Sequence, residues 1–406
     1  MLTDQITLIF LVGVLVSLSL WTKALLDHRK LPSLIGYVFL GWILRLLDDN
    51  WKFLPDTAPD ILYFLADIGI ITLLFRIGFQ SHMKTLLAQL SRASILALSN
   101  VIITGIFGYY LSYSILSIHP VGSLFIAIAL TATSIGVTVT IWKENKILNS
   151  KTGALLLDLI ALDDVIGIIL LGILIQLAPV IHAGPETLTL STLAIQSTLT
   201  IGQLFLFLLF CFLFSLFIEP KLTQYLKKSE HMPDPIVTII GFGMMIASLA
   251  AFLGFSVALG AFFAGIAFSR DSEAVKMQAS FKDLEAFFIP FFFIAIGFKA
   301  VVSSYTMVLG MTALLLIPAA LGKIVGILLP AFFMKISRYG SLVIAISMIP
   351  RAEITMVAMD YGLKLSSSVI TPEVYASMVL IALITSVSTP LILQGMLKRR
   401  PLQSPE

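Results

Sequence analysis

The chain has 406 residues, 58% of them hydrophobic and only 12% charged, with a formal net charge of +3. Soluble globular chains are about 25% charged. A mean hydropathy of +1.01 over this whole length therefore excludes a soluble domain on a single anchor and predicts an all-α, polytopic membrane protein, while the lone Cys211 in an apolar run excludes a disulfide framework and a cysteine metal site.

A helix needs about 20 apolar residues to cross a bilayer. Thirteen such windows follow one another: 5–22, 31–47, 59–80, 93–117, 121–142, 152–177, 193–218, 235–253, 256–269, 286–304, 307–334, 339–363 and 374–396. Neither a basic stretch nor a small-residue cleavage site precedes the first, so it is expected to be retained. Pro32, Pro120, the turn at 182–186 and the polar connector at 221–235 separate windows. The ninth is short, and its separation from the eighth rests on Gly254-Phe255.

The basic residues sort by side. Of the 26 Lys+Arg, nineteen lie after odd-numbered windows or at the C-terminus, four (Arg45, Lys52, Lys299, Lys364) lie opposite, and three (Arg76, Lys323, Arg351) lie within windows. The positive-inside rule then predicts an outer N-terminus and a cytoplasmic C-terminus in a cell membrane. Residues 397–406 are expected to form a short cytoplasmic tail without a nucleotide-binding domain.

Few ionisable residues remain inside the windows. Asp67 and Arg76 stand in the third, nine residues apart and so about 13 Å along one helix, too far to pair. The sixth carries Asp158 and the adjacent Asp163-Asp164 in an otherwise lipid-soluble run. A carboxylate in hydrocarbon costs roughly 2.5–3.5 kcal/mol on insertion scales, so two adjacent ones imply a wet or paired interior that handles a cation, a proton, or both in exchange. Asp163 lies twelve residues past Lys151, and Lys323 in the eleventh window lies twelve before Lys335. Both are about 18 Å from the same edge, which makes them natural partners. The pair also has a purely structural reading, as a buried charge network. Asp360 and Lys364, spaced i,i+4, read as an exposed pair of small worth.

Two windows look interrupted. The fifth has Thr131-Ala132-Thr133-Ser134 before Gly136, and the twelfth has Pro350-Arg351-Ala352-Glu353. Transporters form ion sites where broken helices meet, using half-helix ends and freed carbonyls. The marked windows, 4–6 and 11–13, are seven apart, so the two triples run in opposite senses, as in an inverted repeat with two broken crossing helices.

At these residues the chain resembles the monovalent cation:proton antiporter-2 family, particularly its short NapA-like and GerN-like sodium/proton members. The similarity is distributed over LADIGIITLLFRIGFQ (65–80), TATSIGVTVTIWKE (131–144), LDDVIGIILL (162–171), the segments 256–269, 289–300 and 322–326, and PRAEITMVA (350–358), seven motifs in the family's order. It departs at Ala352, where the family has Gly, at Gln80, where an acid is common, and at Arg76. The Asp-Asp pair and the missing tail set it apart from the glutathione-gated potassium members. The resemblance implies an NhaA-like fold, with 1–92 and 193–304 as dimerisation and scaffold helices and 93–177 and 307–396 as the ion-transporting core. It implies a homodimer and no enzyme activity, cofactor or nucleic-acid partner, the cargo being Na⁺ or Li⁺ against H⁺. Asp164 would be the main carrier, and Asp163 would pair with Lys323 until sodium binds. Thr133 and Ser134 would complete an oxygen shell, Arg351 and Glu353 would support the break, and Asp158 and Asp67 would be secondary. Potassium/proton exchange on the same fold is the near rival; a channel-like conductor and a non-transporting scaffold are remoter ones.

Overall fold

The computed structural model describes residues 2–29, 31–80, 90–183, 190–227, 235–269, 281–400 and 402. Lys30, Lys84, Lys228, Arg270 and Lys276, which the charge-sidedness argument used, lie outside these, as do parts of the 182–186 turn and the 221–235 connector. The described secondary structure is entirely helical. In chain order the helices are α1 (Leu2–His28), α2 (Ser33–Trp51), α3 (Ala58–Gln80), α4 (Leu90–Tyr110), α5 (Pro120–Thr131), α6 (Ile135–Glu144), α7 (Lys151–His182) and α8 (Leu190–Leu213). They continue as α9 (Glu219–Lys227), α10 (Pro235–Phe252), α11 (Val257–Phe268), α12 (Phe281–Lys299), α13 (Tyr305–Phe333), α14 (Arg338–Ser347), α15 (Glu353–Leu365) and α16 (Pro372–Arg399). Wide turns at Leu111–Ile115 and Phe214–Ile218 extend α4 and join α8 to α9.

Seven stretches among the described residues are long and apolar enough to cross a membrane: Asp4–His28, Ala58–Gln80, Ala93–Ile115, Lys151–His182, Ser191–Tyr225, Tyr305–Phe333 and Pro372–Arg399. Length and charge explain the rest. α2 carries Arg45, Asp48 and Asp49, and α12 carries Asp283, Glu285 and Lys299. The windows at 121–142 and 339–363 are each split into two half-length helices.

Sequence chemistry sets the boundaries. The side chains of His119, Ser256, Ser304, Ser337 and Thr371 accept a backbone N–H in the first turn of α5, α11, α13, α14 and α16, and α5 and α16 have proline in that turn. The Gly254-Phe255 break is real: α10 stops at Phe252 and Gly254 adopts φ +87°, a left-handed conformation that costs glycine little. The tenth window, placed at 286–304, is instead a helix over Phe281–Lys299.

The chain forms two compact units. Unit 1 is Met1–Met83 with Ile175–Lys299, and unit 2 is Lys84–Leu174 with Ala300–Glu406. The boundaries differ from the 92/93, 177 and 304/307 of the sequence reading. One reason is Gln176, near the end of α7, which donates to the Leu253 carbonyl at 3.1 Å and accepts from Thr200 at 3.1 Å, tying that end to unit 1.

In unit 1, α3 packs on α11 and α12, and α12 also packs on α2. The crossings are backbone against backbone. A Cβ at Gly78 would collide with the Phe262 carbonyl, and one at Gly265 with the Phe75 carbonyl; Gly41 and Gly297 repeat the arrangement between α2 and α12. Small residues of this kind let membrane helices gain contact where no hydrophobic drive exists between them. Arg76, the odd charge of the third window, donates to Glu285 of α12 at 2.8 Å. In unit 2, α4 packs along α13, α5 meets α4 and α15, and α13 meets α14 and α16. Below the helix breaks lies an apolar core of Trp142, Leu156, Leu159, Ile327, Val343 and Ile344. The Trp142 indole donates to Ser347 Oγ at 2.9 Å, holding α6 to α14.

Candidate functional site

The site forms where α5–α6 and α14–α15 are interrupted. Thr131-Ala132-Thr133-Ser134 cannot close its own helical hydrogen bonds, and neither can the segment from Met348 to Ala352. The two segments therefore satisfy each other. The Ser134 amide donates to the Pro350 carbonyl at 2.9 Å, and Thr133 Oγ1 lies 3.2 Å from the Met348 carbonyl. Each break also exposes carbonyls at a helix C-terminus, where partial negative charge collects. Two cations meet those of the α5 break. The Lys323 ammonium donates to the Thr131 carbonyl, and the Arg351 guanidinium donates to the carbonyls of Ala132 and, at 3.0 Å, Ala319. Both residues are 0% exposed. Thr385 and Ser386 of α16 hold the Arg351 backbone: its N–H donates to Thr385 Oγ1 at 3.2 Å, and Ser386 Oγ donates to its carbonyl at 3.4 Å.

Asp163 on α7 faces this junction and is 0% exposed. Lys323 Nζ stands 3.1 Å from its Oδ2 and 3.2 Å from its Oδ1. Thr133 Oγ1 donates to Oδ2 at 2.7 Å, and Asn100 Nδ2 donates to Oδ1 at 2.9 Å. A buried carboxylate is tolerated when it is both paired and hydrogen-bonded, and this one is.

Asp164 is 3% exposed, and the charges that act on it most are Asp163, Glu353 and Lys323. Two of those three are carboxylates, and Arg351 is a further cation at the same break. Glu353 is half-buried in the first turn of α15, where the helix N-terminus favours an anion. Ser134 is buried, with its amide held at the break. This chemistry offers carboxylate, hydroxyl and carbonyl oxygens, the ligand set of a hard cation.

The structure thus brings together Asp163, Asp164, Thr133, Ser134, Lys323, Arg351 and Glu353. It does not add Asp158, one of the two secondary residues. Asp158 is half-buried lower on α7, and its Oδ2 has no hydrogen-bond partner among the described residues. Asp67 belongs to unit 1 and is exposed on α3. Asp360 and Lys364 pair at 2.9 Å. Sequence reasoning missed Asn100. Its only signal was an amide inside the apolar run of the fourth window, and its partner is 63 residues away.

The profile of the family described as "Sodium/hydrogen exchanger, transmembrane" matches residues 11–399. The Na(+)/H(+) antiporter of Enterococcus hirae is 27% identical over 371 residues, covering 91% of this chain and 92% of that protein. The Na(+)/H(+)-K(+) antiporter GerN of Bacillus cereus is 23% identical over 368 residues, covering 89% of each. Among solved structures, the sodium proton antiporter MjNhaP1 of Methanocaldococcus jannaschii at pH 8 is similar with a TM-score of 0.72 and 16% identity, covering 97% of both chains. That level of identity speaks for the fold.

Proposed function

Because the chain belongs to the sodium/hydrogen exchanger family, we propose that it exchanges cytoplasmic Na⁺, or Li⁺, for external H⁺ by alternating access, with Asp164 as the main carrier. The observation that supports this most is the inequality within the aspartate pair. Asp163 is saturated by Lys323, Thr133 and Asn100, whereas Asp164 is buried beside two further carboxylates and is the one suited to a mobile positive charge. A carboxylate cannot easily hold a proton and Na⁺ together, so competition for one site is sufficient for obligatory exchange. Sodium would draw Asp163 away from Lys323, and Thr133, Ser134 and carbonyls of the α5–α6 break would complete the oxygen shell. Two protons released per Na⁺ would make the exchange electrogenic.

On this reading the chain has thirteen spans in an NhaA-like inverted repeat. Unit 2 is the ion-carrying core, unit 1 the scaffold through which a homodimer forms, and the protein serves pH homeostasis in a cell membrane with its C-terminus in the cytoplasm. Potassium/proton exchange is the second reading, favoured by the K(+) in the name of GerN.

The test is exchange in proteoliposomes containing a pH dye, with Na⁺, Li⁺ and K⁺ added in turn. Dye responses to Na⁺ and Li⁺ but not K⁺ are expected. A response to K⁺ alone would move the chain to the second reading, and silence with every cation would remove exchange altogether.

A further inference from the structure

The Lys323 ammonium has three donors and three acceptors here: both oxygens of Asp163 and the Thr131 carbonyl. The exchange proposed above hands the two carboxylate oxygens to the incoming cation. An ammonium left at a 0% exposed position with one acceptor would be costly, so the fold must offer it others.

α4 holds two oxygens that the present arrangement does not use. Asn100 Oδ1 and Thr104 Oγ1 are buried and have no hydrogen-bond partner among the described residues, and both side chains are 0% exposed. Such groups are exceptions in folded proteins. Thr104 is the more telling. Helical threonines commonly donate to the carbonyl four residues back, and in this chain Thr72, Thr312 and Thr385 do so, to Ile68, Val308 and Ile381. Thr104 has the Asn100 carbonyl at that spacing and leaves it.

The placement is specific. Asn100 and Thr104 are one turn apart on the face of α4 that meets α13. Gly322 and Gly326, either side of Lys323, make that approach close: a Cβ at Gly322 would lie 3.0 Å from Thr104 Oγ1, and one at Gly326 would lie 2.7 Å from Asn100 Cα. The Asn100 amide nitrogen and Lys323 Nζ already share Oδ1 of Asp163, at 2.9 and 3.2 Å. Gly105, next to Thr104, faces the methyl of Thr131, at 3.6 Å from where its Cβ would stand. Thr131 is the residue whose carbonyl holds the ammonium.

We propose that Asn100 Oδ1 and Thr104 Oγ1 form a second seat for the Lys323 ammonium, occupied while Asp163 is given over to the transported cation. The proposal rests on the reading of Asp163-Asp164 as the exchange site. Lys323 keeps the Thr131 carbonyl as its pivot and swaps two carboxylate oxygens for an amide oxygen and a hydroxyl. Neutral oxygens hold an ammonium less firmly than a carboxylate does, so Lys323 returns to Asp163 once the ion leaves. Asn100 and Thr104 act through the lysine and are positioning residues.

The test is sodium-driven exchange in proteoliposomes for wild type, Thr104→Val and Thr104→Ser over a series of Na⁺ concentrations. The hydroxyl makes no bond in the paired state, so Thr104→Val should melt like wild type without sodium. It should raise the Na⁺ concentration for half-maximal exchange by about 10- to 100-fold, the worth of a hydrogen bond to a charged group, with the maximal rate little changed, and Thr104→Ser should restore it. In Lys323→Ala protein, which has no ammonium to seat, Thr104→Val should leave the sodium-dependent thermal shift unchanged. A wild-type sodium dependence in Thr104→Val overturns the seat and leaves the oxygens to buried water. An equal effect without Lys323 also overturns it, making Thr104 a direct ligand of the ion. Asp164→Asn run alongside separates the two claims. Exchange lost there but normal in Thr104→Val removes the seat alone, whereas exchange retained in Asp164→Asn removes the site beneath it.

Discussion

Replacing Asp164 by asparagine abolishes sodium-driven exchange, a loss on the order of 100-fold or more, because groups merely supporting a metal ligand already cost about 10- to 100-fold when removed. The amide keeps the side chain's shape but carries neither a proton nor a negative charge, so it withdraws both halves of the exchange at once. Nothing in the fold should suffer. The bonds of Asp163 to Lys323, Thr133 and Asn100 do not involve Asp164, and the substitution removes one of the carboxylates crowded around the break. Thermal melting of purified Asp164→Asn should therefore match or exceed wild type. Normal exchange in this variant would place the carrier elsewhere, and a protein that no longer folds would make Asp164 a structural residue.

Lys323→Ala acts in the opposite sense, on stability. It strands Asp163 with two neutral donors in a position that is 0% exposed, and breaking a buried ion pair by removing one partner costs about 3–5 kcal/mol. It also strips the Thr131 carbonyl of its cation at the C-terminus of α5. Removing both charges is far cheaper than removing one. Asp163→Asn added to Lys323→Ala should thus recover most of the lost stability, while exchange stays impaired. Thermal melts of the two single variants and the double variant give the coupling directly. A Lys323→Ala protein as stable as wild type would mean that the ion pair contributes nothing to the fold.

The contact between Lys323 and Asp163 was legible because depth in a helix is a count of residues. Both lie twelve residues from a charged edge, and the count needs no knowledge of how helices pack. The breaks were legible for a related reason, since Thr131–Ser134 and Pro350–Ala352 are runs a membrane helix can carry only where something else satisfies the backbone. Which partners do so was not. Ser134 finds Pro350 and Thr133 finds Met348 more than 200 residues away, and no spacing rule reaches that far. Asn100 stayed hidden because one amide in an apolar helix has no periodicity to show its face. Arg76 was visible as an anomaly, but its partner Glu285 lies 209 residues on, at the start of another helix. The glycine crossings of unit 1 were invisible for a third reason. They are contacts of backbone with backbone, and Gly78 and Gly265 reveal them only once the carbonyls they face are known.

The order of the partners around Asp163 along the chain also bears on how the protein is made. Asn100 and Thr133 precede it by 63 and 30 residues, and Lys323 follows it by 160. At about 5–20 residues per second, the ribosome delivers the lysine roughly 8–32 s after the aspartate. During that interval the neutral amide and hydroxyl are the only two of its partners yet synthesised. Asn100 and Thr133 are therefore available to Asp163 before the lysine exists, so the carboxylate can be met by polar neutral groups ahead of its counter-charge.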